Sequence, residues 1–563
     1  MNTPPQLFGS FTGFRIPGFR AVLIVVILLG IVFRLGNLAA KPYWEDEIYT
    51  AMRVSGYGLQ TVAEEIRGQS ISTEALSHYY QVSSERSWKE TSLALARRPE
   101  HAPLYFLLTR AWAQRFGSSE IAIRTLPALF SLIALPLFYR LSLRLFNSPY
   151  SASVTTALAC LSPILIRQAQ EARPYSLWVC GILASSIMLL QALENDRRRS
   201  WFIYSITVAF TGLTHLLSVF VLLAHVLYVF ILSRFILSRE LPARLPERLS
   251  EKSPEKSPEK LPKNKRASAK TKHFFIALSI GILPLLPWLG LVAYRRSAVK
   301  EVTDWLQQDA SFGTLIVEWL ENASHLLFAW LPAGGGRWLV FVPLVGLIVW
   351  ATFRLMQASK LPQWLLPVLL CGVPIVALVT PDLLLGGMRS LISRYFLPTY
   401  IGTLLILGFS LSGPHTKTPT VSSRAFWIWP ISLYAVLTIA SSSAWFNYNA
   451  ASWWGNPDVN VQMAQTVMQS STPVEVYSDQ RLGSFITFAN LLRPTDYINW
   501  LDSKVPYPDN LFESSRTTFL LAPSNELLDR AKKMAATQPF ILKPIKQDLS
   551  GNDLGQTLFQ IQR

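Results

Sequence analysis

Runs of roughly 18 or more predominantly apolar residues recur along this sequence, and no other feature narrows its possible folds so far. A helix of that length rises about 30 Å, the depth of the hydrocarbon core of a bilayer. Lipid is therefore the solvent for much of the chain. Composition agrees: of 563 residues, 50% are hydrophobic and 15% charged, too apolar for a water-soluble protein of several domains. The net charge of +17 raises nucleic acid as a ligand. Lys and Arg, however, gather in short blocks beside the apolar runs, which is a topology pattern, and no nucleic-acid partner is expected. Cys160, Cys180 and Cys371 all fall inside apolar runs, so no disulfide framework is expected.

The first run, residues 20–38, is longer than a signal-peptide core and lacks a small-residue cleavage pattern, so it reads as a retained span. Arg15 and Arg20 precede it without an acid, which places the amino terminus in the cytoplasm. Further spans are expected at 126–145, 151–166, 175–193, twice within 201–237, and at 274–292, 338–353, 362–379, 396–412 and 426–444. The expected fold is thus a polytopic α-helical membrane protein of about 11 transmembrane helices. Residues 1–446 form its transmembrane domain, with 39–124 as a first outer loop carrying interfacial helices near 59–67 and 102–116. Residues 315–331 read either as another interfacial helix or as an extra span. Residues 239–272, rich in Lys, Pro, Ser and Glu and carrying a tandem Ser-Pro-Glu-Lys, read as a disordered basic cytoplasmic loop. Hydropathy falls after residue 447, and 447–563 read as a small extracytoplasmic α/β domain. Its strands are expected at 473–477, 484–488 and 517–521, and its helices at 459–468 and 525–536.

Candidate chemistry collects on one face. Directly after the first span stand Trp44, Glu45, Asp46 and Glu47, acids that are costly beside lipid unless they serve a site or meet a cation. A second polar island runs from Arg167 through Gln170, Glu171 and Arg173 to Tyr175, at the outer turn between two spans. His101 and Tyr105 begin an interfacial helix ahead of Arg124, and His215 lies at a further outer turn. Arg389, Arg394 and Tyr395 stand at the outer mouth of a late span. Outer arginines run against the positive-inside bias and need another explanation, of which phosphate binding is one, because a guanidinium holds two phosphate oxygens at once.

These elements, in this order, resemble the C-type glycosyltransferase superfamily, in the branch of protein O-mannosyltransferases and bacterial aminoarabinose transferases. Glu45-Asp46-Glu47 resembles the family's Asp-Glu pair in the first outer loop, and His101-Ala102-Pro103-Leu104-Tyr105 its His-Pro-Pro-Leu-Tyr stretch. Ser119-Glu120 through Arg124 and Pro127 resembles its Ser-Glu-x-x-x-Arg-x-Pro segment. Gln170-Glu171-Ala172-Arg173-Pro174-Tyr175 is similar to its Gln-Glu-Ala-Arg-x-Tyr signature. The likeness covers residues 20–240, and beyond them only the stretch Arg394-Tyr395-Phe396-Leu397-Pro398. Ala102 departs from the family's proline, and the carboxyl-terminal domain does not resemble the sugar-binding modules of eukaryotic relatives.

The resemblance implies an inverting transfer of a sugar from a polyprenyl-phosphate donor to a lipid, glycan or protein acceptor at the outer face of a bacterial inner membrane. Asp46 is then the general base and Glu47 the residue that orients the site. Glu171, Arg173, Tyr175, His101, Tyr105, Arg124, Arg394 and Tyr395 are the expected substrate-binding residues, with Arg394 ranked before Arg389 for the leaving phosphate. A divalent metal through Glu171 or His101 stays open, although their spacing is no metal signature. Two other classes compete. A transporter or flippase is expected to carry charges near the bilayer midplane, often in two related halves, and a polysaccharide polymerase or ligase concentrates its site in one late loop. Here the acids stand in the first two outer loops.

Overall fold

The computed structural model describes residues 18–240, 263–329, 335–413, 423–455, 459–508, 511–547 and 557–562. Helix α1 (Phe19–Leu35) leads into a loop region of short helices. These are α2 (Glu45–Ser55), α3 (Leu59–Ile66), α4 (Thr73–Ser77), α5 (Trp88–Arg97) and α6 (Leu104–Phe116), with a short strand β1 (Ser70–Ser72) between α3 and α4. The bundle continues with α7 (Glu120–Phe146), α8 (Pro149–Leu161), α9 (Pro163–Ala169), α10 (Tyr175–Asn195), α11 (Arg198–Thr214) and α12 (Ser218–Glu240). It is completed by α13 (Lys263–Ile282), α14 (Leu286–Tyr294), α15 (Arg296–Thr303), α16 (Phe312–Ser324), α17 (Trp338–Ala358), α18 (Leu361–Leu385), α19 (Leu397–Ser410) and α20 (Ser423–Asn449).

Among the described residues, seven helices are long and apolar enough to cross a membrane, or eight if the bent pair α8 and α9 counts as one span. Each of the eleven stretches expected as a span is helical. Three are not among those seven or eight: α1 and α11 have 17 residues and α19 has 14. Helix α19 is buried along nearly its whole length, so its neighbours, not lipid, surround it. Helix α16 has 13 residues, about 20 Å at 1.5 Å per residue, and is not among the helices long and apolar enough to cross a membrane. Residues 263–272, expected within a disordered loop, instead form the helical start of α13. Their Lys, Arg and Ala are good helix formers and are continuous with an apolar run. Residues 239 and 240 likewise end α12, while 241–262 lie outside the described residues.

The break between α8 and α9 bends the chain by 61° and has a definite cause. Pro163 has no N–H, so the carbonyl of Ala159 loses its helical partner. Arg34 of α1 supplies the donors: it bonds the carbonyls of Ala159 at 2.9 Å and Cys160 at 2.6 Å, and Ser131 Oγ at 2.8 Å. Close contact of α1 with α8 is permitted by Gly30, where a Cβ would lie 2.9 Å from that of Cys160. This bend delivers the polar segment 167–175 to the loop-rich end of the bundle.

The carboxyl-terminal region adds β2 (Val474–Ser478), β3 (Tyr497–Trp500), β4 (Thr517–Leu521), β5 (Ile541–Gln547) and β6 (Thr557–Gln562), with helices α21 (Val459–Val467), α22 (Leu482–Ala489) and α23 (Asn525–Thr537). The sheet order is β1-β3-β2-β4-β6-β5. Strands β3, β2 and β4 run parallel, and β1 pairs antiparallel with β3. The first loop thus donates an edge strand to a sheet otherwise made by the last hundred or so residues. Residues 484–488, expected as a strand, belong instead to α22. Their Phe, Ile and Thr favour strands, but the helix is buried on almost every side, and packing overrides propensity. A single core joins Ile48 and Met52 of α2, Val62 of α3, Phe485 and Phe488 of α22, and Val476 and Ile498 of the sheet.

Candidate active site

The site is built on the first turn of α2. Trp44 caps it in an extended conformation, and the acids Glu45, Asp46 and Glu47 occupy the helix N-terminus, where the dipole favours negative charge. Successive helical residues point about 100° apart. The three carboxylates therefore face three different partners.

Glu47 points inward and is fully buried. Arg124 of α7 meets it with Nε at 2.8 Å and Nη2 at 2.6 Å, and the backbone N–H of Ala172 donates to it at 2.7 Å. Arg124 spends its other donors on the carbonyls of Leu38, Lys41 and Pro42. All five of its N–H groups are thus engaged. Arg124, expected among the substrate-binding residues, thus has no donor left for substrate, and Glu47 holds the turn from inside. Tyr105 is buried in a cluster with Val54, Leu95, Phe106 and Leu177.

Asp46 is only partly buried, its side chain 23% exposed. Its Oδ2 lies 3.3 Å from Arg394 Nη2 and 3.6 Å from Arg173 Nη2. Burial alone raises its pKa, but Arg173 and Arg394, then Arg53 and Arg167, outweigh it and hold the carboxyl below its ordinary range. Arg173 also fixes the backbone, donating to the Asp46 carbonyl at 3.0 Å and to Thr50 Oγ1 at 2.8 Å. Its remaining amine lies 2.7 Å from His101 Nε2. A guanidinium only donates, so His101 accepts there and is neutral; burial and Arg173 pull its pKa well below the usual value. Arg394 stacks near Trp44 and Tyr395, at 5.4 and 5.9 Å from the ring centres.

Glu171 is buried and takes Arg167 Nε at 2.7 Å on one oxygen, while the other has no hydrogen-bond partner. Burial raises its pKa against the pull of Arg167. Tyr175 opens α10 with its ring 5.8 Å from the Arg173 guanidinium and 5.7 Å from the His215 ring. His215 is held down to about 3 by burial and by Arg173 and Arg394.

The structure thus brings together Asp46, Glu171, Arg173, Tyr175, His101, Arg394 and Tyr395 from the expected set. It sets Arg389 apart, paired with the buried Asp382 at 2.9 Å. Sequence reasoning missed Arg167 as a member, although it opens the polar island, and Arg53, which is engaged by Glu100. Among the described residues there is no group of three or more His, Cys, Asp or Glu able to hold a metal. Glu171 and His101 face guanidinium groups, so the open expectation of a metal there does not fit the donor set. What the arrangement offers is one ionised carboxylate among several cations, suited to accepting a proton beside an anionic leaving group. As pH falls, the rate kcat/KM is expected to be lost only as Asp46 protonates, below the ordinary aspartate range, and neutral His101 adds no limb near neutrality. A pH profile of the purified protein checks this.

A family model described as Dolichyl-phosphate-mannose-protein mannosyltransferase matches residues 100–243, a stretch that holds His101, Arg124, Glu171, Arg173 and Tyr175 but neither Asp46 nor Arg394. No curated protein sequence matches the chain. Among solved structures, ArnT from Cupriavidus metallidurans in the apo state is similar at 12% identity and a TM-score of 0.52, covering 96% of this chain and 98% of that one. ArnT from the same organism bound to undecaprenyl phosphate is similar at 13% identity and a TM-score of 0.50, covering 97% of this chain and 98% of that one. The fold is shared over essentially the full length of both proteins.

Proposed function

We propose that this chain, whose fold is similar to that of ArnT and whose residues 100–243 match a mannosyltransferase family model, is a C-type membrane glycosyltransferase that moves a sugar with inversion from a polyprenyl-phosphate donor to a lipid, glycan or protein acceptor. The site lies at the outer face of a bacterial inner membrane, where the carboxyl-terminal region also sits. One observation carries the reading: Asp46 stands on a helix N-terminus at the loop-rich end of the bundle, bracketed by Arg173 and Arg394.

In the reaction the acceptor's nucleophilic heteroatom attacks the anomeric carbon as the bond from that carbon to the phosphate oxygen breaks. The acceptor proton passes to Asp46, and the polyprenyl phosphate leaves with the bonding electron pair. With its pKa held down, Asp46 accepts that proton late, once bond formation has made the acceptor more acidic. Arg394 and Arg173 neutralise the charge that grows on the phosphate. Tyr175 and Tyr395 wall the same space, and Glu171 holds Arg167 while its free oxygen serves a sugar hydroxyl. ArnT bound to undecaprenyl phosphate supports a donor of this chemical class.

The test is sugar release from a radiolabelled polyprenyl-phosphate donor by purified protein. Arg394→Ala is expected to raise the apparent donor KM by about 10- to 100-fold, the value of roughly 1.5–3 kcal/mol for a hydrogen bond to a charged group. It should also move the acid limb of the pH profile upward, because one of the cations that keeps Asp46 ionised is gone. An unchanged donor KM would remove Arg394 from the phosphate site. Mass spectrometry of envelope lipids and glycoproteins from cells with and without the protein identifies the acceptor.

A further inference from the structure

Glu45, the first acid of α2, has no part in the chemistry above, yet both of its oxygens are engaged. Tyr49, one helical turn on, donates its hydroxyl to Oε1 at 2.6 Å. Ser484 of α22 donates to Oε2 at 3.0 Å. The preceding residue, Gly483, lies against the Tyr49 ring so closely that a Cβ there would overlap its hydroxyl and ring carbons. The opposite end of α22 is fastened as well. Asn490 donates to Glu120 at 2.8 Å and accepts from Tyr80 at 3.2 Å. Helix α22 therefore spans from the start of α2, which carries Asp46, to the start of α7, which carries the Arg124 that holds Glu47.

We infer that the carboxyl-terminal region is a working part of the active site, with Glu45, Tyr49 and Ser484 as positioning residues that set the direction of Asp46. The inference rests on the assignment of Asp46 as the base. Three restraints meet on this single turn. Arg124 draws Glu47 inward, Arg173 fixes the Asp46 carbonyl, and α22 pins Glu45 outward. With residues about 100° apart, fixing the flanking side chains on either side of Asp46 fixes the direction of its Cα–Cβ bond, and Arg173 and Arg394 then meet its carboxylate. Releasing the outer restraint lets the turn rotate, and a misplacement of about 1 Å costs on the order of 10²-fold in rate. The donor phosphate, by contrast, meets arginines that the seam does not touch.

Steady-state kinetics of the full chain with a polyprenyl-phosphate sugar test this. Ser484→Ala and Tyr49→Phe each remove one hydroxyl and are expected to lower kcat about 10-fold, with donor KM and melting temperature unchanged; Gly483→Ala is expected to lower it by about 10²-fold. Ser484→Thr, which keeps the hydroxyl, is expected to restore kcat. A kcat within about twofold of the parent for both hydroxyl deletions overturns the inference, as does a loss that follows melting temperature and is not rescued by threonine. Asp46→Asn, measured alongside, separates the two levels. If it stays active, the base assignment fails. If it is inactive while the seam variants are normal, only the positioning role fails.

Discussion

Asp46→Asn is expected to lower kcat/KM by about 10²- to 10⁴-fold, the contribution of a positioned general base, while the protein remains folded and binds polyprenyl phosphate at least as well as the parent. The sign of the binding effect follows from the geometry. Arg394 and Arg173 lie 3.3 and 3.6 Å from the Asp46 carboxylate, so deleting its charge leaves two guanidinium groups with more of their field for the donor phosphate. Binding of polyprenyl phosphate alone, followed by native mass spectrometry, and turnover of the lipid-linked sugar read the two effects separately. Comparable turnover in the variant would exclude Asp46 as the base. Weaker phosphate binding would mean that the arginines depend on the carboxylate for their placement.

The largest stability effect is expected at Arg124. Arg124→Ala leaves Glu47 with no exposure and no cation, a change that costs about 3–5 kcal/mol for a broken buried pair. It also strips the carbonyls of Leu38, Lys41 and Pro42 of their donor. The expected result is loss of monodisperse protein in size-exclusion chromatography, with partial recovery in the double variant Arg124→Ala/Glu47→Leu, which leaves no buried charge. If the single variant instead folds normally and loses only donor affinity, Arg124 returns to the substrate site where its motif would place it.

That contrast shows what the sequence makes legible. Apolar run length and basic flanks locate the spans because lipid imposes one requirement at each position along a helix, independent of what the helix packs against. Asp46, Arg173 and Arg394 stand out for a related reason, being charged residues beside lipid that need an explanation. Which of them touch is a different matter. Glu47 and Arg124 lie 77 positions apart, and nothing local distinguishes an arginine that binds phosphate from one that spends every donor inside the protein. Residues 484–488 mislead for the opposite reason, since their strand-like composition is local while the burial that makes them α22 is not. The donation of β1 to the sheet is equally silent, as Ser70 to Ser72 are three residues with a single apolar side chain, too few to show a period.

The shared sheet also orders events during biosynthesis. Thr73, just after β1, bonds the carbonyl of Arg493, 420 positions away. Ribosomes deliver the amino-terminal portion first, so this early loop must wait, its edge strand unpaired and Glu45 without Ser484, until the residues between them have been made. Contacts of such long sequence separation close late. The first turn of α2 gains its outer restraint only when Ser484 of α22 arrives, so the proposed base of a nascent chain is not yet held in place.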